Sequence, residues 1–162
     1  MRLSFRNGFY LGLGLALIIG AYLFWLWQPE RQVRLHNEHL LAAVEAKNWS
    51  ELGEFIDDSY QDQWGNDRTL LLTRLREILS YARHLRIEPL GVGVRRADNE
   101  AECSARITVD ADPNEITTFI KERVNPLESP FVFKWRHGSR KPWDWKLTRV
   151  SNEGLELPAS SY

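Results

Sequence analysis

The sequence has little with which to do redox, metal or phosphate chemistry. Cys103 is the only cysteine, which excludes an internal disulfide and any CxxC metal or redox pair. No Gly-rich phosphate loop, nucleophile elbow or HExxH motif occurs. His36 and His39 stand three apart, but a metal site needs a third ligand and groups to orient the first two, so the spacing is weak. His84 and His137 have no partner in sequence. No metal and no cofactor is expected. There is no surplus of one charge sign either: 21 Lys plus Arg stand against 22 Asp plus Glu, so no global field draws nucleic acid or anionic lipid. Nucleic acid is not an expected partner, and any charged partner must be recognised locally. Internal repeats and low-complexity tracts are also absent.

What remains is the composition of a folded protein, 43% hydrophobic and 27% charged in 162 residues, with an aromatic share of 12% that includes seven Trp. The stretch from Phe9 to Trp27, FYLGLGLALIIGAYLFWLW, carries no charge. Its roughly 19 residues at about 1.5 Å each reach about 28 Å, close to a bilayer's hydrocarbon thickness. Tyr22, Trp25 and Trp27 suit the membrane interface, being apolar rings with polar tips. Signal peptidase needs small residues after such a stretch, whereas Phe24-Trp25-Leu26-Trp27 is bulky. The expected layout is a short tail over 1–8, an uncleaved transmembrane helix over 9–27 with the lipid bilayer as its partner, one domain over 28–158 and a flexible end over 159–162. Arg2 and Arg6 precede the helix and Arg31 and Arg34 follow it, so charge barely sets the orientation. A short leading tail tends to stay cytoplasmic while a large domain is translocated. The expected location is a cell inner membrane, with the domain periplasmic or otherwise extracytoplasmic.

Within the domain, Val33, Asn37, Leu40, Leu41 and Val44 repeat at helical spacing and predict a helix over 30–48 that starts just after Pro29. Ser50 reads as the N-cap of a short second helix with Leu52, Phe55 and Ile56 inward. Asn66, followed by Asp67, opens a third, with Leu71, Leu75, Ile78, Leu79 and Ala82 on one face. After Arg83 the period becomes two. Ala101, Cys103, Ala105, Ile107 and Val109 alternate with polar residues as one buried strand face. The preceding strand has apolar odd positions at Leu85 and Ile87 but even ones at Leu90, Val92 and Val94, a parity change at Pro89 that predicts a bend. Asp98-Asn99 supplies the turn of this antiparallel hairpin. Asp112-Pro113-Asn114-Glu115 predicts a helix capped by Asp112, with Ile116, Phe119, Ile120 and Val124 inward. Phe131, Phe133 and Trp135, then Trp143, Trp145 and Leu147, alternate across a connection containing Gly138, a second hairpin rich in aromatics.

Helices followed by a curved antiparallel sheet make an α+β fold, three helices packed on the sheet as a cone. The element order, the kinked strand and the segments Tyr60-Gln61-Asp62-Gln63-Trp64-Gly65 and Pro130-Phe131-Val132-Phe133-Lys134-Trp135-Arg136 resemble the nuclear-transport-factor-2-like, or SnoaL-like, superfamily of cystatin-like fold. The resemblance covers about residues 30 to 150; the helix near 114 to 124 departs from the simplest family pattern. It implies a pocket at the open end of the cone, which some members use for dehydration or isomerisation and others for binding alone.

The acid–base candidates for such a pocket are Asp62, His39 and Tyr60, and the candidate ligand-binding residues are Trp64, Trp135 and Trp143. Against these, Asp62 suits a carboxylate that organises a loop at a helix start, His39 a helix border, and the Trp residues a core. Cys103, on the apolar side of its strand, reads as a buried inert thiol. Arg136, His137, Arg140 and Lys141 form a basic turn beside the Trp cluster. Asn48-Trp49-Ser50 matches the short glycosylation sequon. The leading expectation is a membrane-tethered binding or assembly module that offers its pocket or sheet face to a membrane protein or a small apolar ligand. The alternative is a small hydrolyase- or isomerase-like enzyme built on Asp62 or a histidine.

Overall fold

The structure, a computed structural model, describes residues 5–139 and 141–156, with the side chains of 5–9 and 26 left aside. The expected C-terminal boundary at 158 and Arg140 lie outside the described residues. The elements in chain order are helices α1 (Phe5–Leu26), α2 (Pro29–Glu45), α3 (Trp49–Phe55) and α4 (Arg68–Ser80), strands β1 (Arg86–Ala97) and β2 (Glu100–Asp110), helix α5 (Glu115–Val124), and strands β3 (Phe131–His137) and β4 (Trp145–Ser151). The sheet is antiparallel in the order β1-β2-β3-β4. The α+β class expected from the periodicities is what the chain forms, with α2 packed across β1 and β2, and α3 joining it to α4 and β4.

Helix starts follow local capping chemistry, and three of the expected caps shift. Pro29 is the first residue of α2, where its fixed φ is already helical and its missing N–H costs nothing. The α3 cap is Asn48 rather than Ser50. Lys47 turns the chain through φ 55, so Asn48 is the first side chain able to reach back, and its Oδ1 accepts from Glu51 N at 3.3 Å. Helix α4 is capped by Asp67, which accepts from Leu70 N at 2.8 Å, and this frees Asn66 to turn inward. Helix α5 is capped by Asn114 in a capping box with Thr117, so Pro113 stands before the cap and Asp112 outside the helix. Phe119, expected inward, is 51% exposed.

The bend in β1 also moves. Its register slips between Leu90 and Gly93, and Gly91 adopts φ 65. A proline ring forbids positive φ, so the bulge falls on the nearby glycine while Pro89 stays in the ladder opposite Ile107. Asp98 takes φ 51 in the tight turn between β1 and β2. The β4 edge is closed by the segment after α3, with Asp57 N donating to Leu147 O at 2.9 Å and Gln61 N to Thr148 O at 3.1 Å, which removes one exposed edge. Strand β4 begins at Trp145. Trp143, expected in the strand, lies in the preceding turn and is 53% exposed, because Gly138 N already bonds Asp144 O at 2.8 Å and closes the connection behind it.

Helix α2 sets the polarity of the domain. Arg34 near its start bonds Val92 O, and Glu45 at its end bonds Ile87 N, so α2 runs antiparallel to β1. Its start therefore shares one end of the domain with the Asp98-Asn99 turn and the β3–β4 connection, which are joined by His137 N bonding Asn99 O at 2.8 Å. This turn end is solid: Val33, Ala101, Cys103, Trp135 and Trp145 are all buried in one cluster.

Among the described residues no single helix is long and apolar enough to cross a membrane, and only α1 and α2 taken together, as Tyr10–Trp25 and Pro29–Glu45 bent by 68°, pass by length and composition. Since Val33, Leu40 and Leu41 of α2 are buried in the domain core, α2 is spoken for. Helix α1 instead leaves Leu11, Leu13, Leu15, Leu17, Ile18, Ile19 and Phe24 exposed.

Candidate functional site

The far half of the domain is hollow, and the sequence explains why. The inward positions near the turn end carry Trp135 and Trp145, whereas those farther along the sheet carry Ile87, Ile107, Val109 and Val150. Aliphatic side chains leave space that indoles would fill. A cavity of about 330 Å³ results, walled by Leu40, Leu41, Val44, Leu71, Leu75, Ile107, Val124, Phe131 and Leu147 among others. That volume lies within the range of small-ligand pockets.

One wall is polar. Asp62 and Asn66 are 5% and 4% exposed. Asp62 Oδ1 accepts from Trp64 N at 2.9 Å and Asn66 N at 2.8 Å, and its Oδ2 accepts from Asn66 Nδ2 at 2.7 Å. Asn66 Oδ1 in turn accepts from Arg74 Nη1 at 2.6 Å. Gly65, at φ 82, allows this loop to close so tightly. Beside it the Tyr60 hydroxyl is buried without a hydrogen bond of full geometry. Burial, and secondarily the charge of Asp62, holds the phenol well above its ordinary value, while a weak approach of the Val150 backbone and the charge of Arg149 act the other way. Tyr60 thus stays a neutral phenol.

The chain after β4 is strapped over the cavity. Trp64 Nε1 donates to Leu155 O at 3.0 Å and Gln63 Nε2 to Asn152 O at 2.6 Å. Asn152 is 2% exposed; its Nδ2 donates to Ser129 O at 2.8 Å, and its Oδ1 accepts from Ser129 Oγ at 2.9 Å. Leu155 then joins the cavity wall.

Of the expected site residues, Tyr60, Asp62 and Trp64 come together on this cavity. His39 does not: it faces solvent on α2. Its neighbour His36 is half-buried with its ring 5.9 Å from Phe55 and 6.0 Å from Trp135, its Nδ1 on Gln32 O at 2.8 Å. Trp135 is fully buried in the solid half, and Trp143 lies outside. Burial pushes the Cys103 thiol up to about 11. Arg136 is paired with Asp57 at 2.8 Å, and His84 with Asp112 at 2.9 Å in an exposed pair. No group of three His, Cys, Asp or Glu able to hold a metal occurs among the described residues. Asn66 and Arg74 are the site residues that sequence reasoning missed, the first read as opening the third helix and the second assigned no role. An Asn before an Asp cap, eight residues from an Arg, was the available signal.

Solved structures share the fold at low sequence identity. Bd1075 of Bdellovibrio bacteriovorus superposes with a TM-score of 0.60 at 9% identity, over 79% of this chain and 41% of its own, so this chain spans less than half of that neighbour. A nuclear-transport-factor-2-like protein from Cytophaga hutchinsonii gives a TM-score of 0.55 at 16% identity, over 78% of this chain and 98% of its own. A protein from Novosphingobium aromaticivorans described as a candidate aromatic ring hydroxylase gives 0.54 at 12% identity, over 76% and 90%. No family model matches the sequence, and no curated protein matches it. At these identities the likeness is one of fold: the domain folds as an α+β unit like these nuclear-transport-factor-2-like proteins, whose number includes enzyme-like ones, and the fold does not by itself choose between binding and catalysis.

Proposed function

We propose that this protein is a membrane-tethered binding module whose cavity takes a small, largely apolar ligand bearing one hydrogen-bond acceptor. The observation that carries this reading is a mostly aliphatic cavity of about 330 Å³ with Tyr60 among its lining residues, the Tyr60 hydroxyl being buried without a full hydrogen bond. A buried hydroxyl without a partner is costly, and a ligand carbonyl, ether or carboxylate oxygen would relieve it. Binding by apolar burial with one polar fix is the usual economy of such sites.

Acid–base catalysis has less support. The oxygens of Asp62 are occupied by three N–H donors, so it organises the loop instead of standing free as a base, and His39 is in solvent. The tether rests on α1. Its apolar residues are exposed on every face, Leu11 at 77% and Phe24 at 75% among them, and a helix hydrophobic all round needs an apolar surrounding. The bilayer is the surrounding we assign to it, with the domain on the extracytoplasmic side.

The test is a titration of full-length protein in lipid nanodiscs with 2-acetonaphthone, an apolar ketone, against empty nanodiscs. Saturable binding to the wild type that vanishes in the cavity-filling variant Val124→Trp is expected. Equal uptake by wild type, variant and empty discs would remove the cavity from the function.

A further inference from the structure

The two ends of the domain differ in a way that bears on how it sits. All three features at the turn end come from separate parts of the chain: the start of α2 directly after α1, the β1–β2 turn, and the β3–β4 connection. Their proximity follows from Arg34 on Val92 O and from His137 N on Asn99 O. This is also the end from which α1 departs.

The side chains there suit a lipid headgroup layer. Trp143 is 53% exposed, Trp27 47% and Trp25 46%, with Arg31 stacked 3.4 Å above the Trp25 ring. Half-exposed indoles beside guanidinium groups fit a zone that is apolar on one side and anionic on the other. Arg34, Arg95, Arg96 and Lys141 are exposed at the same end. Glu30, Asp98, Glu100 and Asp144 share it, so the attraction is moderate, setting orientation where α1 supplies the affinity. The hollow half lies at the opposite end, where Ile87, Val109 and Phe131 wall the cavity. Strand β2, 11 residues long, spans roughly 35 Å from one end to the other at about 3.3 Å per residue.

We propose that the turn end rests on anionic phospholipid headgroups, with Trp143 at the interface, and that the domain stands upright so that the cavity is held away from the bilayer. This rests on the reading of α1 as an anchor. Its consequence for the binding function is that an apolar ligand enters from the aqueous side or from a carrier protein, not by lateral passage out of the membrane.

Cys103 is buried with its thiol pKa pushed up to about 11, so an introduced surface cysteine can be labelled selectively. Full-length protein carrying Ser139→Cys at the turn end, or Ser80→Cys at the cavity end, is labelled with a fluorophore. It is reconstituted into vesicles of phosphatidylcholine with or without phosphatidylglycerol, and quenching by lipids nitroxide-labelled near the headgroup is read. Strong quenching at Ser139→Cys and little at Ser80→Cys is expected, greater with phosphatidylglycerol. Lys141→Gln should shift the docked population about fivefold, the worth of one cation near an anionic surface, and Trp143→Ser should lower quenching in both lipids. If the protein floats with the vesicles but both sites quench alike, or neither does, the upright placement is wrong and the anchor survives. If it does not float with the vesicles at all, the anchor fails and takes the placement with it.

Discussion

Tyr60→Phe is the perturbation whose sign is most telling. In a typical site, removing a tyrosine hydroxyl destroys a hydrogen bond and costs about 1 kcal/mol. Here the hydroxyl is 2% exposed with its residue and has no hydrogen bond of full geometry. A buried polar group left unpaired costs about 1–3 kcal/mol, so deleting the oxygen should relieve part of that cost, while the small void it leaves subtracts some of the gain. The net expectation is an unfolding free energy raised by about 1 kcal/mol, or unchanged. The assay is urea unfolding of the full chain in nanodiscs, followed by tryptophan fluorescence, where a higher midpoint at constant slope reports a true stability change. The same variant should bind an apolar ketone about fivefold to tenfold more weakly, the worth of one hydrogen bond of about 1–1.4 kcal/mol. Opposite signs for stability and binding are the signature of a group reserved for ligand. A variant that loses more than about 1 kcal/mol of stability and binds as well as wild type would show that the hydroxyl serves the fold.

Other expectations follow from burial. Trp145 is 3% exposed, with Nε1 donating to Pro142 O at 3.1 Å, so Trp145→Ala should cost about 3–5 kcal/mol, whereas Trp143→Ala should change stability by less than about 0.5 kcal/mol; thermal unfolding of both separates them. Cys103 has its thiol raised from 9.0 to about 11. Its contribution is therefore complete below pH 9 and lost as pH climbs toward 11, because the unfolded thiol ionises first. The stability of Cys103→Ala should fall less steeply over that window. The protein should stay in the membrane pellet after carbonate washing with its N-terminus intact, and protease added to spheroplasts should digest its domain while cytosolic markers survive; a shortened soluble form, or full protection, would reverse those readings.

The periodicities made the fold legible where burial is one-sided. The alternation from Ala101 to Val109 and from Phe131 to Trp135 became β2 and β3, because a half-buried strand repeats every two residues. Features set by backbone geometry were harder to place. The bend belongs to Gly91 and not Pro89, and Asn48 and Asn114 replace Ser50 and Asp112 as caps, since each depends on which residue the incoming chain brings into reach. The site was legible only in part. Tyr60, Asp62 and Trp64 are near in sequence and stayed together, but Arg74 reaches Asn66 across a helix start and Asn152 closes the strap from the other end of the chain. His39 faces away because the α2 stripe of Val33, Asn37, Leu40 and Leu41 claims the sheet.

The central claim is that Tyr60 donates its hydrogen bond to an acceptor on an apolar ligand inside the cone. The direct measurement is the infrared carbonyl stretch of 2-acetonaphthone bound to the full-length protein in nanodiscs, with wild type compared against Tyr60→Phe. A hydrogen bond from the phenol weakens the C=O bond. The stretch should therefore lie at lower wavenumber in the wild-type complex and return in Tyr60→Phe to the value seen in an apolar solvent. An identical stretch in the two complexes would contradict the assignment of Tyr60 as the recognition group.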